Sequence, residues 1–299
     1  MLKTATIGCR GAARAVAAMI LAAGSVYATP SIAFETEETV KAKINLAGRQ
    51  RMLSQRMAKT ACMVFNQADR AAQEEALKKA YTLFTRTHFA LRFGDPELRL
   101  MPEKSSAVLR FLEAVQKEWA PYNAAMKPVT KGKEIKQTQL VTIAQTNIPV
   151  LATMNKAVGR MERTYGAKAG IRDDARAINY AGAQRMLSQR MAKEYCLIAA
   201  GIAPDENRFA LAQSIALFDK RQRMLMNGDA NAKVPVPSDP TVVEALAASM
   251  KAWQSLQEML SAVAGGVAPT DASLEAVSSQ ADLLLKRAHA AVQAMEHAS

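Results

Sequence analysis

Two arginines, Arg51 and Arg185, stand 134 residues apart in nearly identical surroundings and have the chemistry of an anion site. A guanidinium group is permanently charged and presents forked donors that suit a planar oxyanion. Each arginine follows a glycine by three residues, Gly48 or Gly182, so both lie on one face of a helix. Glycine inside a helix costs roughly 1 kcal/mol relative to alanine, and its physical use is the close approach of another helix or a ligand; the alternative is a glycine that is only tolerated.

These residues belong to a block that occurs twice. Residues 44–59 read INLAGRQRMLSQRMAK and residues 178–193 read INYAGAQRMLSQRMAK, so fourteen of sixteen positions are identical. The offset of 134 persists to the C-terminus and aligns the two tryptophans of the sequence. A gap-free repeat of this length indicates a duplicated domain rather than an array of short repeats. Gln55 and Gln189 lie on the same face as the arginines, and we expect them to add hydrogen bonds to a ligand.

The elements that position this block are helices. Apolar residues recur at helical spacing along almost the whole chain, glycine and proline mark the breaks, and nothing has the pattern of a β-hairpin. We predict an all-α fold of two tandem antiparallel four-helix bundles, one in each repeat. The predicted helices cover residues 36–66, 69–93, 103–127, 134–164, 170–201, 205–227, 240–263 and 270–297.

The even number of helices predicts how the two copies pack. Four antiparallel helices return the chain to its starting level, and the short link at residues 165–170 then begins the second bundle there. The first helices of the two bundles can therefore lie parallel about a pseudo-two-fold axis, as in a symmetric dimer. Arg51 and Arg185 would then share one gap, where two charges repel by about 4 kcal/mol at 4 Å and a dielectric constant near 20. A bound anion would reverse that sign; the alternative is that each arginine binds a nearby glutamate or carbonyl.

Parallel pairing also concerns Cys62 and Cys196, which share the arginine face. In an oxidising compartment they can form a disulfide, provided that their Cα atoms come within about 7 Å. The other alternative is two buried free thiols, and this is the state that we expect.

Residues 1–28 have the features of a secretory signal peptide: a basic start, a short apolar run and small residues before a cleavage site near Ala28. We therefore expect a periplasmic protein with bundles at residues 31–164 and 165–299, and no later stretch long enough to cross a bilayer. Removal of the three signal-peptide cations lowers the formal net charge from +12 to +9. An exported chain rarely meets nucleic acid, so the basic excess is at least as compatible with a small anion, an acidic protein or an anionic membrane surface as partner. The alternative, which we expect for most of the lysines, is that they lie on solvated helix faces.

Residues for catalysis or metal binding are not arranged in any familiar pattern. The sequence shows no Ser/His/Asp or Cys/His arrangement, paired carboxylates or phosphate-binding glycine loop. His88, His289 and His297 do not repeat and lack metal-ligand spacing, so we expect core or surface histidines. We expect no enzyme, no cofactor and no metal; an exported enzyme is retained only if a metal or cofactor copurifies.

The repeated block resembles the P-box of the PilJ/NarX-type sensor domain, with the pattern AGxxRMxSxR at residues 47–56 and 181–190. That family includes nitrate/nitrite sensor kinases and type IV pilus methyl-accepting transducers, where the P-box opens a periplasmic four-helix bundle. The resemblance implies a chemotaxis-related sensing or binding protein whose ligand is nitrate or nitrite, with a membrane-bound signalling protein as a further partner. The alternative is a ligand-free helical adaptor that docks on such a partner through the same face. The family's nitrate-holding residues correspond to Gly48, Arg51, Gly182 and Arg185.

Overall fold

The computed structural model describes residues 36–298, and the predicted all-α fold is confirmed there. The ends of all the predicted helices agree with the observed ends to within three residues. The signal peptide expected at residues 1–28 lies outside the described residues. None of the helices within residues 36–298 combines the length and the hydropathy of a bilayer-spanning segment. The helices are α1 (Glu37–Phe65), α2 (Arg70–Phe93), α3 (Ser106–Thr130), α4 (Gln137–Met161), α5 (Arg172–Ala199), α6 (Pro204–Asn227), α7 (Pro240–Ala264) and α8 (Asp271–His297).

Local chemistry sets the ends of several helices. The Thr36 hydroxyl accepts a hydrogen bond from the backbone N–H of Thr39 and caps α1. Thr270 and Ser273 form a reciprocal capping box at the start of α8. Gly94 and Gly228, at equivalent positions of the repeats, follow α2 and α6 with φ of 84° and 73°, a conformation that favours glycine. The glycine turn after the second helix therefore recurs in both repeats, whereas the side-chain caps of α1 and α8 have no counterparts on α5 and α4.

The eight helices form two four-helix bundles, α1–α4 and α5–α8, that pack through their first helices. Within each bundle the first helix packs on the second and the fourth, and the contact between α1 and α5 is the most extensive of all. The predicted domain boundary at residue 165 falls in a π-helical turn, Glu162–Gly166, and stays a prediction. α1 and α5 are therefore buried on nearly all sides.

A polar layer crosses both bundles at the same height and separates their apolar core into two parts. The buried apolar side chains form two clusters, and each cluster contains residues from both bundles. On the central helices one cluster ends at Ala47 and Ala181, and the other begins at Met52 and Met186. Residues 48–51 and 182–185 lie between them. Buried polar groups are unfavourable unless they are paired, so this layer is the first place to look for a binding site.

Candidate functional site

Gly48 and Gly182 allow both guanidinium groups to lie in one gap between α1 and α5. A Cβ atom on Gly182 would be 3.3 Å from Nη2 of Arg51 and 3.3 Å from Nη2 of Arg185. A Cβ atom on Gly48 would be 3.3 Å from Nη2 of Arg51 and 3.6 Å from that of Arg185. Equivalent residues therefore meet across the helix pair, and the predicted parallel pairing is confirmed.

The two arginines have equivalent hydrogen-bond partners. Nη2 of Arg51 donates to the main-chain oxygen of Asn179 at 3.1 Å, and Nη2 of Arg185 donates to that of Asn45 at 3.3 Å. Nη1 of Arg51 donates to Asn155 Oδ1 at 3.3 Å. Nη1 of Arg185 lies 3.2 Å from Nδ1 of the residue equivalent to Asn155, a histidine described below. Each arginine therefore binds a main-chain carbonyl of the other repeat, as the alternative interpretation of the sequence expected. Arg51 Nε also donates to the main-chain oxygen of Gly48 at 3.5 Å, so each arginine keeps at least two N–H groups for a further acceptor.

The gap carries an excess of positive charge. Arg51 and Arg185 are 4% and 1% exposed, and neither forms an ion pair with a carboxylate in the described part of the chain. Arg221 adds a positive charge near Arg51, and Arg49 adds one near Arg185. Because both Nη2 atoms lie 3.3 Å from the Cβ position of Gly182, they are at most about 7 Å apart. At that distance two unit charges repel by roughly 2 kcal/mol at a dielectric constant near 20.

Two glutamates partly offset this charge without contacting the pair. Glu162 accepts a hydrogen bond from Asn179 Nδ2 at 2.5 Å, and Glu296 accepts one from Asn45 Nδ2 at 2.6 Å. Each asparagine thus binds the arginine and the glutamate of the opposite repeat. None of these four residues was predicted from the sequence to belong to the site, although the offset of 134 pairs Asn45 with Asn179 and Glu162 with Glu296.

The buried charges shift the pKa values of the site. Burial lowers the pKa of Arg51 to about 9, and the charges of Arg221 and Arg185 contribute in the same direction. Burial lowers the pKa of Arg185 to about 10, and the charge of Arg49 adds to this shift. A bound anion would oppose these shifts by stabilising the protonated guanidinium groups.

His289 was expected to be an ordinary core or surface histidine, but its side chain contacts Arg185 at this site. Because a guanidinium group can only donate, Nδ1 of His289 must accept the hydrogen bond from Arg185 and so carries no proton. Burial lowers the pKa of His289 to about 4, with help from the charges of Arg185 and Arg49. His289 is therefore a neutral hydrogen-bond partner of the second arginine, as Asn155 is of the first.

A recess on one side of the molecule reaches Arg51. Its volume is about 280 Å³, which is ample for a small anion. Its lining contains four arginines and one glutamate, so the approach is cationic. The lining residues are Arg51, Glu162, Arg163, Arg176, Asn179, Tyr180, Ala183 and Arg221.

Gln55 and Gln189 lie one turn beyond the arginines and have other partners. Gln55 Oε1 accepts a hydrogen bond from Lys193 at 3.1 Å. Gln189 Nε2 donates to Asp282 Oδ1 at 3.1 Å and to the main-chain oxygen of Ala281 at 3.3 Å. In the described residues these amides thus belong to a second polar layer, and their contact with a ligand stays a prediction.

Cys62 and Cys196 form a disulfide across the helix pair, with Cα atoms 6.1 Å apart. The expectation of two free thiols is therefore wrong. The spacing of the helices could not be read from the sequence, and parallel packing brings these two positions within disulfide range. The Asn66 side chain amide also lies at this level, with Nδ2 3.3 Å from Sγ of Cys196.

The comparison with known proteins agrees with the repeated architecture. The family model PilJ, described as the N-terminal part of type IV pili methyl-accepting chemotaxis transducers, matches residues 32–146 and again residues 169–294. No curated protein matches the chain significantly. Two matches to one model, together covering most of the chain, agree with two tandem copies. The chain belongs to the PilJ family of type IV pili methyl-accepting chemotaxis transducer N-terminal domains.

Proposed function

We propose that this chain is a periplasmic binding or sensing protein that holds one small oxyanion, nitrate or nitrite, between Arg51 and Arg185. The observation that carries the proposal is a pair of buried guanidinium groups that share a gap and have no carboxylate ion pair in residues 36–298. An anion between them would replace repulsion with attraction to both. The proposed role is binding, with no reaction and no cofactor.

The shape of the gap favours a small planar anion. Gly48 and Gly182 leave the space that a Cβ atom would fill, directly beside the Nη2 atoms. Forked N–H groups can donate to two oxygens of a planar oxyanion, and a spherical chloride cannot use this geometry fully. Nitrate and nitrite therefore fit the site better than chloride does.

The surroundings of the pair distinguish this role from docking through the same face. That face is buried between α1 and α5, which are joined by the disulfide between Cys62 and Cys196. A protein partner that docked there would have to separate covalently linked helices. A membrane-bound signalling protein would instead recognise the outer surface of the loaded protein.

Calorimetric titration with nitrate, nitrite, sulfate and chloride at constant ionic strength tests the proposal. We expect one nitrate per chain, because both repeats contribute to a single gap. Arg51→Gln and Arg185→Gln should each weaken binding at least tenfold, whereas Arg110→Gln, which removes an exposed charge of α3, should not. Unchanged nitrate binding in the double variant Arg51→Gln, Arg185→Gln would refute the assignment.

A further inference from the structure

The chain contains one polar arrangement twice, but its carboxylate only once. In the first copy of this arrangement, which surrounds Lys59, Asp282 of α8 is held by three side chains. Lys59 Nζ donates to Oδ1 at 2.8 Å, and Gln189 Nε2 donates to the same oxygen at 3.1 Å. Arg56 Nη2 donates to Oδ2 at 3.3 Å. These groups form a carboxylate-binding site that the protein fills with its own aspartate.

In the second copy of the arrangement, which surrounds Lys193, Ile148 occupies the position of the aspartate and is 62% exposed. The lysine is kept as Lys193, and its ammonium group donates instead to two neutral oxygens, Gln55 Oε1 at 3.1 Å and Asn147 Oδ1 at 3.4 Å. An ammonium group has three donors, so one of them has no protein acceptor in the described residues. Lys193 is thus a buried cation, 6% exposed, without the carboxylate that its counterpart has.

A neighbouring acid does not take the place of the aspartate. Glu194 is buried and accepts a hydrogen bond from Arg190 Nε at 2.6 Å, and this ion pair neutralises the arginine of the second copy. Its charge favours protonated Lys193, yet burial prevails and lowers the pKa of Lys193 to about 8. The lysine therefore lacks a direct ion pair, although an acid lies next to it in sequence.

An apolar groove lies beside this lysine. It has a volume of about 380 Å³ and runs between α4, α5 and α6. This is the size of a small-ligand pocket, and such pockets are mostly apolar with a few polar groups that fix orientation. Besides Lys193, its lining includes the apolar side chains of Val141, Ala144, Ile148, Leu197 and Ala210.

The corresponding place in the other copy is bridged by a hydrogen bond. There Gln73 Nε2 donates to Ser278 Oγ at 3.2 Å and links α2 to α8. The equivalent residues in the second copy are Asn207 and Ala144, and alanine cannot accept that bond. Asn207 Nδ2 turns back to the main-chain oxygen of Ile202 at 2.9 Å. The two arrangements thus differ in two linked respects: the one around Lys193 lacks the carboxylate, and it has an open groove beside it.

We propose that this groove binds a small aliphatic monocarboxylate, with its carboxylate on Lys193 and its chain against Val141, Ile148 and Leu197. The internal template is Asp282, whose carboxylate occupies the equivalent position in the other copy. The site is separate from the oxyanion gap, because Lys193 lies eight residues beyond Arg185, roughly 12 Å along α5. The proposal therefore does not rest on nitrate binding.

Titration of the purified protein with straight-chain carboxylates from acetate to hexanoate tests this proposal. We expect hexanoate to bind and to raise the Tm, with affinity rising about fourfold for each added methylene group. Hexanamide, which has the same shape without the charge, should bind at least tenfold more weakly. Equal affinity for acetate and hexanoate, or no hexanoate binding at millimolar concentrations, would overturn the proposal.

The variant Ile148→Asp provides the sharpest test, because it places a carboxylate beside Lys193 at the position equivalent to Asp282. It should abolish hexanoate binding, and Lys193→Met should do the same. The control Val243→Asp adds the same charge to an exposed apolar position of α7 and should leave binding unchanged. Arg51→Gln should also bind hexanoate normally, which separates this site from the oxyanion gap. Hexanoate binding that survives in Ile148→Asp would contradict the assignment.

Discussion

Replacement of Gly182 by alanine should weaken anion binding and leave the stability of the helix pair nearly unchanged. The new Cβ atom would lie 3.3 Å from Nη2 of both Arg51 and Arg185, so a guanidinium group must move by a few tenths of an ångström. Displacing a side chain from its rotamer costs about 0.5–1.5 kcal/mol. Alanine in a helix interior gains roughly 1 kcal/mol over glycine. We expect these opposing effects to leave the free energy of unfolding within about 1 kcal/mol of the wild-type value.

Nitrate binding should respond much more strongly, because the methyl group enters the gap itself. We expect the affinity of Gly182→Ala for nitrate to fall at least tenfold, about 1.4 kcal/mol, in calorimetric titration. Urea unfolding without nitrate reports the stability. Gly159→Ala is the matched control: it changes another interior helix glycine, whose Cβ would be 3.4 Å from Arg163 Nη1, an ordinary van der Waals contact. Arg163 lines the recess but not the gap between Arg51 and Arg185, and it need not move. Wild-type nitrate affinity in Gly182→Ala would show that the anion does not occupy this gap.

Three further predictions concern the disulfide, the histidine of the site and the filled carboxylate site. The double variant Cys62→Ser, Cys196→Ser should lose up to about 5 kcal/mol in guanidinium unfolding, because the cross-link closes a loop of 134 residues; a loss below 1 kcal/mol would contradict this chain-entropy argument. The lowered pKa of His289, about 4 against an ordinary value near 6.5, means that the unfolded chain binds its proton more readily. The stability from neutral His289 should therefore be complete above pH 6.5 and decline as the pH falls toward 4. His289→Asn should remove this part of the pH dependence of the urea midpoint, and identical pH profiles would argue against it. Asp282→Asn should lower the free energy of unfolding by about 2 kcal/mol, since Lys59 is fully buried while the aspartate is about one-third exposed. The control Ile148→Asn, at the equivalent position, should change it by less than about 0.5 kcal/mol, and equal effects of the two variants would refute the assignment.

The arrangement of the helices was predictable because it depends on features repeated along the sequence. Helical spacing, glycine and proline breaks, and an even number of helices in each repeat were enough to predict that α1 and α5 lie side by side and parallel. The face that carries Gly48 and Arg51 followed from helix geometry alone. These inferences need only local periodicity and chain continuity, and both are visible in the sequence.

The side-chain partners were less predictable because they depend on where the two copies differ. Asn155 and His289 occupy equivalent positions and serve equivalent arginines, but their different side chains hid the correspondence. Ile148 and Asp282 are likewise equivalent in sequence. Only Asp282 can accept a hydrogen bond, and it accepts one from Gln189. The disulfide depended on a distance of a few ångströms between helices, which periodicity does not specify.

The pairing of α1 and α5 within one covalent chain determines how the gap responds to dilution and to occupancy. A receptor whose pocket lies between two separate subunits loses that pocket as the subunits dissociate, whereas here its assembly is independent of protein concentration. The cystine bridge also fixes the axial stagger of the two helices, so a one-turn ratchet of about 5.4 Å is excluded. If an anion binds in the gap, a relative motion of α1 and α5 that follows is therefore a tilt or twist about the disulfide.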